Sequence, residues 1–122
     1  MNDFYYRKLE VYHLSKKMVA EVYVLTESFP QSELYGLTNQ IQRAAISVPS
    51  NIAEGVGRFA FKERLHFIEI AYGSLMEVMC QIEIAELLNY VTKESTLQLE
   101  TDITNIARML SGLRRSLKEK IN

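Results

Sequence analysis

Phe61, Leu65, Ile68, Tyr72, Leu75, Met79 and Ile82 follow one another at alternating intervals of four and three. That rhythm returns to one side of a helix with about 3.6 residues per turn, whereas a strand, with a period of two, would scatter it over both faces. Leu99, Ile103, Ile106, Leu110, Leu113 and Leu117 repeat the pattern. Val11, Met18, Val22, Leu25 and Phe29 give a looser version, with Asp3 as a plausible cap and Pro30 as a stop, over about Phe4 to Phe29. A further segment begins near Leu37, carries Ile41, Ala44, Ala45, Val48 and Ile52, and ends at Gly55 or Gly57. Pro49 lies inside it, removes one backbone hydrogen bond and is expected to bend the helix. Ser95 with Gln98 is expected to cap the last segment.

Four amphipathic helices with short connections predict an all-α fold, an antiparallel up-down-up-down four-helix bundle in one domain over residues 1–122. A chain of 122 residues and 14.1 kDa buries about two-thirds of its surface on folding, enough for a core without metals or disulfides. The single cysteine, Cys80, cannot form an intrachain disulfide, and it reads as a buried or half-buried small hydrophobe. The polar N-terminal residues lack the apolar stretch of a signal peptide, and no run approaches the ~20 residues of a membrane helix. These features predict a cytoplasmic protein without a membrane partner.

On the third segment, about 100° per residue with Leu65 as origin puts the main stripe near −30°. Phe67, Ala71, Ser74, Val78 and Ala85 fall near 200°, leaving a polar sector around Lys62, Glu69 and Glu77. One bundle core needs one apolar face, so the second stripe is expected to meet a neighbouring subunit. A helix packed unusually deeply within its own bundle is the alternative.

The net charge of −1 excludes a uniformly basic nucleic-acid binder but hides an asymmetry. Residues 66–102 carry one Lys and seven acids, whereas residues 103–122 carry five bases and one acid. In an up-down-up-down bundle one pole collects Arg7, Lys8, Arg58, Lys62, Arg64, Arg114, Arg115, Lys118 and Lys120 against Asp3, Glu10, Glu54, Glu63 and Glu119. The other collects Glu27, Glu33, Glu83, Glu86, Glu94, Glu100 and Asp102 against Lys93. The basic pole is a candidate contact for RNA or DNA phosphates, with Phe4, Tyr5, Tyr6 and Phe59 near it for stacking.

Catalytic patterns are sparse. Glu10-x-x-His13 and Glu63-x-x-His66, with Glu54, echo the ligand set of dimetal bundles, but their helical angles turn them away from the core. No Gly-rich phosphate loop or cysteine pair is present, and Ser47, Ser50 and Ser74 lack His-Asp partners that spacing can place beside them. The expectation is a non-enzyme without cofactor, metal or small-molecule substrate. Asn51 and Glu54, just after Pro49, are expected to bond backbone freed by the bend.

The segment Tyr35-Gly-Leu-Thr-Asn-Gln-Ile-Gln-Arg-Ala-Ala-Ile-Ser-Val-Pro-Ser-Asn-Ile-Ala-Glu-Gly-Val-Gly-Arg58 closely resembles the signature of the four-helix-bundle family encoded in intervening sequences of bacterial 23S ribosomal RNA genes, the S23-type proteins. Leu9-Glu-Val-Tyr12, Phe29-Pro30, Ala71-Tyr-Gly-Ser-Leu75 and Gln81 to Tyr90 extend the likeness. The resemblance implies a left-handed bundle assembled as a homopentamer, and in one branch the accessory protein of diversity-generating retroelements, which works with nucleic acid. Most members have no established activity. Tyr12 stands where the family often has Trp, and Gln42 where it often has Arg, which removes one positive charge from the nucleic-acid reading. Together these features predict a non-enzymatic homopentameric scaffold, with nucleic-acid binding through the basic pole as the alternative.

Overall fold

The computed structural model describes residues 4–121. They form a four-helix bundle of α1 (Glu10–Leu25), α2 (Leu37–Val56), α3 (Phe61–Leu87) and α4 (Lys93–Ile121), with short 3₁₀ turns at Tyr5–Lys8, Thr26–Ser28 and Gln31–Glu33. Each helix packs on its neighbour in sequence, and α4 closes back onto α1. The centre is fully buried: Met18 and Val22 from α1, Ile41, Val48 and Ile52 from α2, Ile68, Leu75 and Ile82 from α3, Ile106 and Leu110 from α4.

The expected first helix is split. Leu9 is extended (ψ 124°), ends the leading 3₁₀ turn by donating to the Tyr6 carbonyl at 3.1 Å, and starts α1 at Glu10. Asp3, the expected cap, lies outside the described residues. The second helix keeps its expected bounds and stays helical through Pro49.

Gly55 sets how closely α2 approaches α3. A Cβ there would stand 2.8 Å from the Phe67 Cβ and 3.3 Å from the Arg64 carbonyl oxygen, inside the ~3.5–4.0 Å of ordinary carbon contact. Farther along the same seam the Ser47 and Ser74 hydroxyls meet at 2.8 Å, and the Asn51 amide donates to the Ser47 carbonyl and hydroxyl at 2.8 and 2.9 Å. Asn51 therefore does not bond the carbonyl that Pro49 deprives of its donor, which belongs to Ala45. It anchors the serine pair between the helices instead.

The second stripe of α3 faces the chain's own core rather than a neighbouring subunit. Ala71, Val78 and Ala85 are fully buried within the chain itself, Ser74 bonds α2, and Phe67 lies against Gly55. Both stripes flank one wide face centred near 240° on the same wheel, because α3 packs against α2 and α4 at once. Cys80 also departs from expectation: it points away from that face and is exposed.

Each side of the connection between α3 and α4 has its own lock. Asn89 takes the left-handed conformation (φ 62°) after α3, and Tyr90 and Asn89 donate to the carbonyls of Ala85 and Glu86 at 2.9 and 3.0 Å. This is a Schellman closure with Asn where Gly is commoner. At the start of α4, Thr92 and Ser95 exchange backbone-to-hydroxyl bonds, each 3.1 Å. The capping box is thus Thr92 with Ser95, three residues earlier than expected, and Gln98 is committed elsewhere.

Candidate functional site

A groove of about 650 Å³ lies between α1 and α4. Ala20, Val24, Leu25, Val91 and Leu99 make its apolar walls, and Lys17, Glu21 and Gln98 close one end. Behind that end stands Asp102, only 4% exposed, accepting from Lys17 Nζ at 2.9 Å and Gln98 Nε2 at 3.1 Å. The sequence assigned Asp102 to an acidic surface pole. The bundle instead buries it between helices, on the flank of the Leu99–Ile103–Ile106 stripe, where Lys17 reaches across from α1.

Glu21 completes this cluster. Its Oε1 is buried with no donor among the described residues. Burial, then a hydrogen bond to Asp102, pushes its carboxyl up to about 7, so it is Glu21 that carries the proton of this pair. Burial alone would raise Asp102, but hydrogen bonds from Glu21, Lys17 and Gln98 outweigh it and hold that carboxylate below its ordinary value. The bond to Asp102 raises Lys17. Beyond the groove's far end, Glu33 accepts from the Leu37 backbone N–H at 3.1 Å and from the Tyr90 hydroxyl at 2.9 Å. Those two bonds lower Glu33, and the same contact raises Tyr90.

The predicted basic residues fall into groups. Arg58 pairs with Glu54 at 3.2 Å and Glu63 at 3.9 Å, and its guanidinium lies over the Phe67 ring. Lys62 is exposed and shares a shallow cleft with Arg58 and His66. Arg64 and Lys120 converge on the Phe61 ring, 5.2 and 5.5 Å from its centroid, joining the start of α3 to the end of α4. Arg114 pairs with Glu69 at 2.7 Å. Arg115 and Lys118 are exposed and line a second cleft with Arg114. Arg7 and Lys8 are exposed on the leading 3₁₀ turn, Arg7 lying over the Phe4 and Tyr6 rings.

The two Glu-x-x-His pairs do not come together as a ligand set. Exposed His13 bonds the Arg7 carbonyl at 2.6 Å, while Glu63 pairs with Arg58. Among the described residues, no group of three or more His, Cys, Asp or Glu is placed to hold a metal ion. No helix described is long and apolar enough to cross a membrane.

Residues 7–112 match the family model of the 23S rRNA-intervening sequence protein. The chain belongs to that family. A similar solved structure is a protein of unknown function from the S23 ribosomal protein family of Bacteroides thetaiotaomicron, at 20% identity and a TM-score of 0.78. The likeness covers 85% of this chain and 97% of that one, and establishes a shared fold. No curated protein matches. Neither family match carries a link to diversity-generating retroelements.

Proposed function

We propose that this S23-type protein is a non-enzymatic scaffold that assembles with copies of itself through the outer face of α3. One observation carries the reading. Ile70, Gly73, Met76, Cys80, Ile84 and Leu87 are all exposed. They fall between about 20° and 140° on the wheel, opposite the buried face, along roughly 26 Å of helix. Exposed Glu77 lies within this stripe and exposed Glu83 at its edge, while Glu69, also within it, is paired with Arg114. The acids among the apolar residues disfavour pairing the stripe with itself across a twofold axis, so its partner is a basic surface elsewhere on the neighbour, the arrangement that closes a ring. Five subunits is the number the family resemblance implies.

The helix order we propose is up-down-up-down, with α2 bent at Pro49. Pairings in opposite senses support the order: Glu69 with Arg114 and Glu86 with Thr96, Ser47 with Ser74 and Gly55 with Phe67. An exposed lone thiol suits a reducing compartment, so we place the protein in the cytoplasm.

Light scattering coupled to size exclusion tests the assembly. The expected mass is several times 14.1 kDa, and Ile84→Glu is expected to yield folded monomer. A wild-type monomer at micromolar concentration overturns the reading.

A second reading is nucleic-acid binding at the basic end. Phe59 is 97% exposed one residue after Arg58, and Arg115 and Lys118 have no acidic partner among the described residues. An exposed ring beside cations is the arrangement that stacks on a base while phosphates are neutralised. Affinity for single-stranded RNA should then fall steeply with salt and drop in Arg115→Ala/Lys118→Ala. No binding at low salt removes this reading.

A further inference from the structure

The groove between α1 and α4 shares no residue with the outer face of α3 and has a chemistry of its own. We propose that it is a binding site for a small amphipathic cation, a primary ammonium on an unbranched apolar body, with the ammonium at the Lys17–Glu21–Asp102 end and the body along Ala20, Val24, Leu25 and Leu99. Three observations support this.

The volume of about 650 Å³ lies within the ~300–1,000 Å³ of small-molecule sites, and apolar walls with few convergent polar groups are their usual lining. The charges are also unbalanced. Lys17, Glu21 and Asp102 are the charged groups at that end, and Gln98, the remaining polar group from α4, is neutral. With both carboxyls ionised, one ammonium faces two carboxylates, and a second ammonium restores neutrality. Finally, Glu21 has a buried oxygen with no donor among the described residues. Its carboxyl must take up a proton or meet a new donor; Glu21 lines the groove, so a turn of its carboxyl toward the groove brings that oxygen to a ligand ammonium, which supplies a donor without adding to the negative charge.

The span fixes the size. Glu21 to Ser28 is the last turn of α1 and the 3₁₀ turn that follows it, about 12 Å in all, which accommodates a body of about eight carbons. An ammonium keeps its proton throughout the neutral range, and the site must release the one held between Glu21 and Asp102. Binding therefore expels a proton near neutrality.

The test is titration calorimetry of the full chain with n-octylammonium, n-octanol and n-octanoate at pH 6, 7 and 8, in buffers of differing ionisation enthalpy. Octylammonium is expected to bind about tenfold more tightly at pH 8 than at pH 6, the change expected for one ionisation centred near 7, with proton release measurable at pH 6. Octanol and octanoate are expected to bind at least tenfold more weakly at pH 8. Glu21→Gln keeps the shape of the groove but is expected to lose both the pH dependence and the preference for the amine. No octylammonium binding below millimolar concentration, equal affinity for octanol, or unchanged pH dependence in Glu21→Gln each overturns the proposal.

Discussion

Replacing Gly55 with Ala probes the seam on which the bundle depends. The added carbon would lie 2.8 Å from the Phe67 Cβ and 3.3 Å from the Arg64 carbonyl oxygen. Neither atom is the end of a flexible side chain. Relief requires α2 and α3 to separate by roughly 0.7–1.2 Å at that point, loosening Ile68 and Ile52 beside it. Such overpacking costs about 1–3 kcal/mol, and replacing a helical glycine returns roughly 0.5–1 kcal/mol. Gly112 in α4 is the control, because a Cβ there meets nothing within 4 Å. Gly112→Ala gains the propensity term alone. Gly55→Ala should therefore fall between neutral and about 2.5 kcal/mol destabilising, and the two substitutions should differ by about 1–3 kcal/mol, the steric term itself. At roughly 4 °C per kcal/mol for a domain of this size, the melting temperatures separate by about 4–12 °C. Circular dichroism during thermal and urea unfolding, at one fixed protein concentration, measures the gap. A Gly55→Ala protein stabilised as much as Gly112→Ala, or a Gly112→Ala protein destabilised equally, would refute the close-approach argument.

Three further outcomes are expected. Glu21 has a folded-state carboxyl raised from 4.5 to about 7, so its stabilising contribution is complete below about 4.5 and is lost as pH rises through about 7; the melting temperature should slope downward from pH 5 to 8, and Glu21→Gln should flatten that slope. Asn89→Gly should be neutral or stabilise by a few tenths of a kcal/mol in urea unfolding, while Asn89→Val should cost about 1–2 kcal/mol or more, since only the left-handed backbone closes α3. Thr92→Ala removes the acceptor for the Ser95 N–H and should cost about 1 kcal/mol, with amide exchange accelerating first at the start of α4.

The helices were legible because their stripes recur at a period no other element shares, and α4 shows this most plainly from Leu99 to Leu117. The site was not legible for the same reason that α3 was misread: periodicity identifies which residues share a face, but not how many neighbours that face meets. Two stripes about 130° apart suggest two surfaces when each helix is given one partner; packed against α2 and α4 together, they become the shoulders of one face, with Ala71, Val78 and Ala85 at its bottom. The available apolar surface is at Met76, Cys80 and Ile84, among acids that make the sector look merely polar in the sequence. The groove depends on register as well. Glu21 and Asp102 are far apart in sequence, and only α4 closing onto α1 brings them together. One local signal was present: Asp102, three residues after Leu99 and beside Ile103, places a charge on the edge of an apolar stripe. A charge there must find a partner across the helix interface, and Lys17 is the cation that α1 provides. The fold can be read from where apolar residues recur, whereas the candidate binding site appears where that recurrence is broken by a carboxylate.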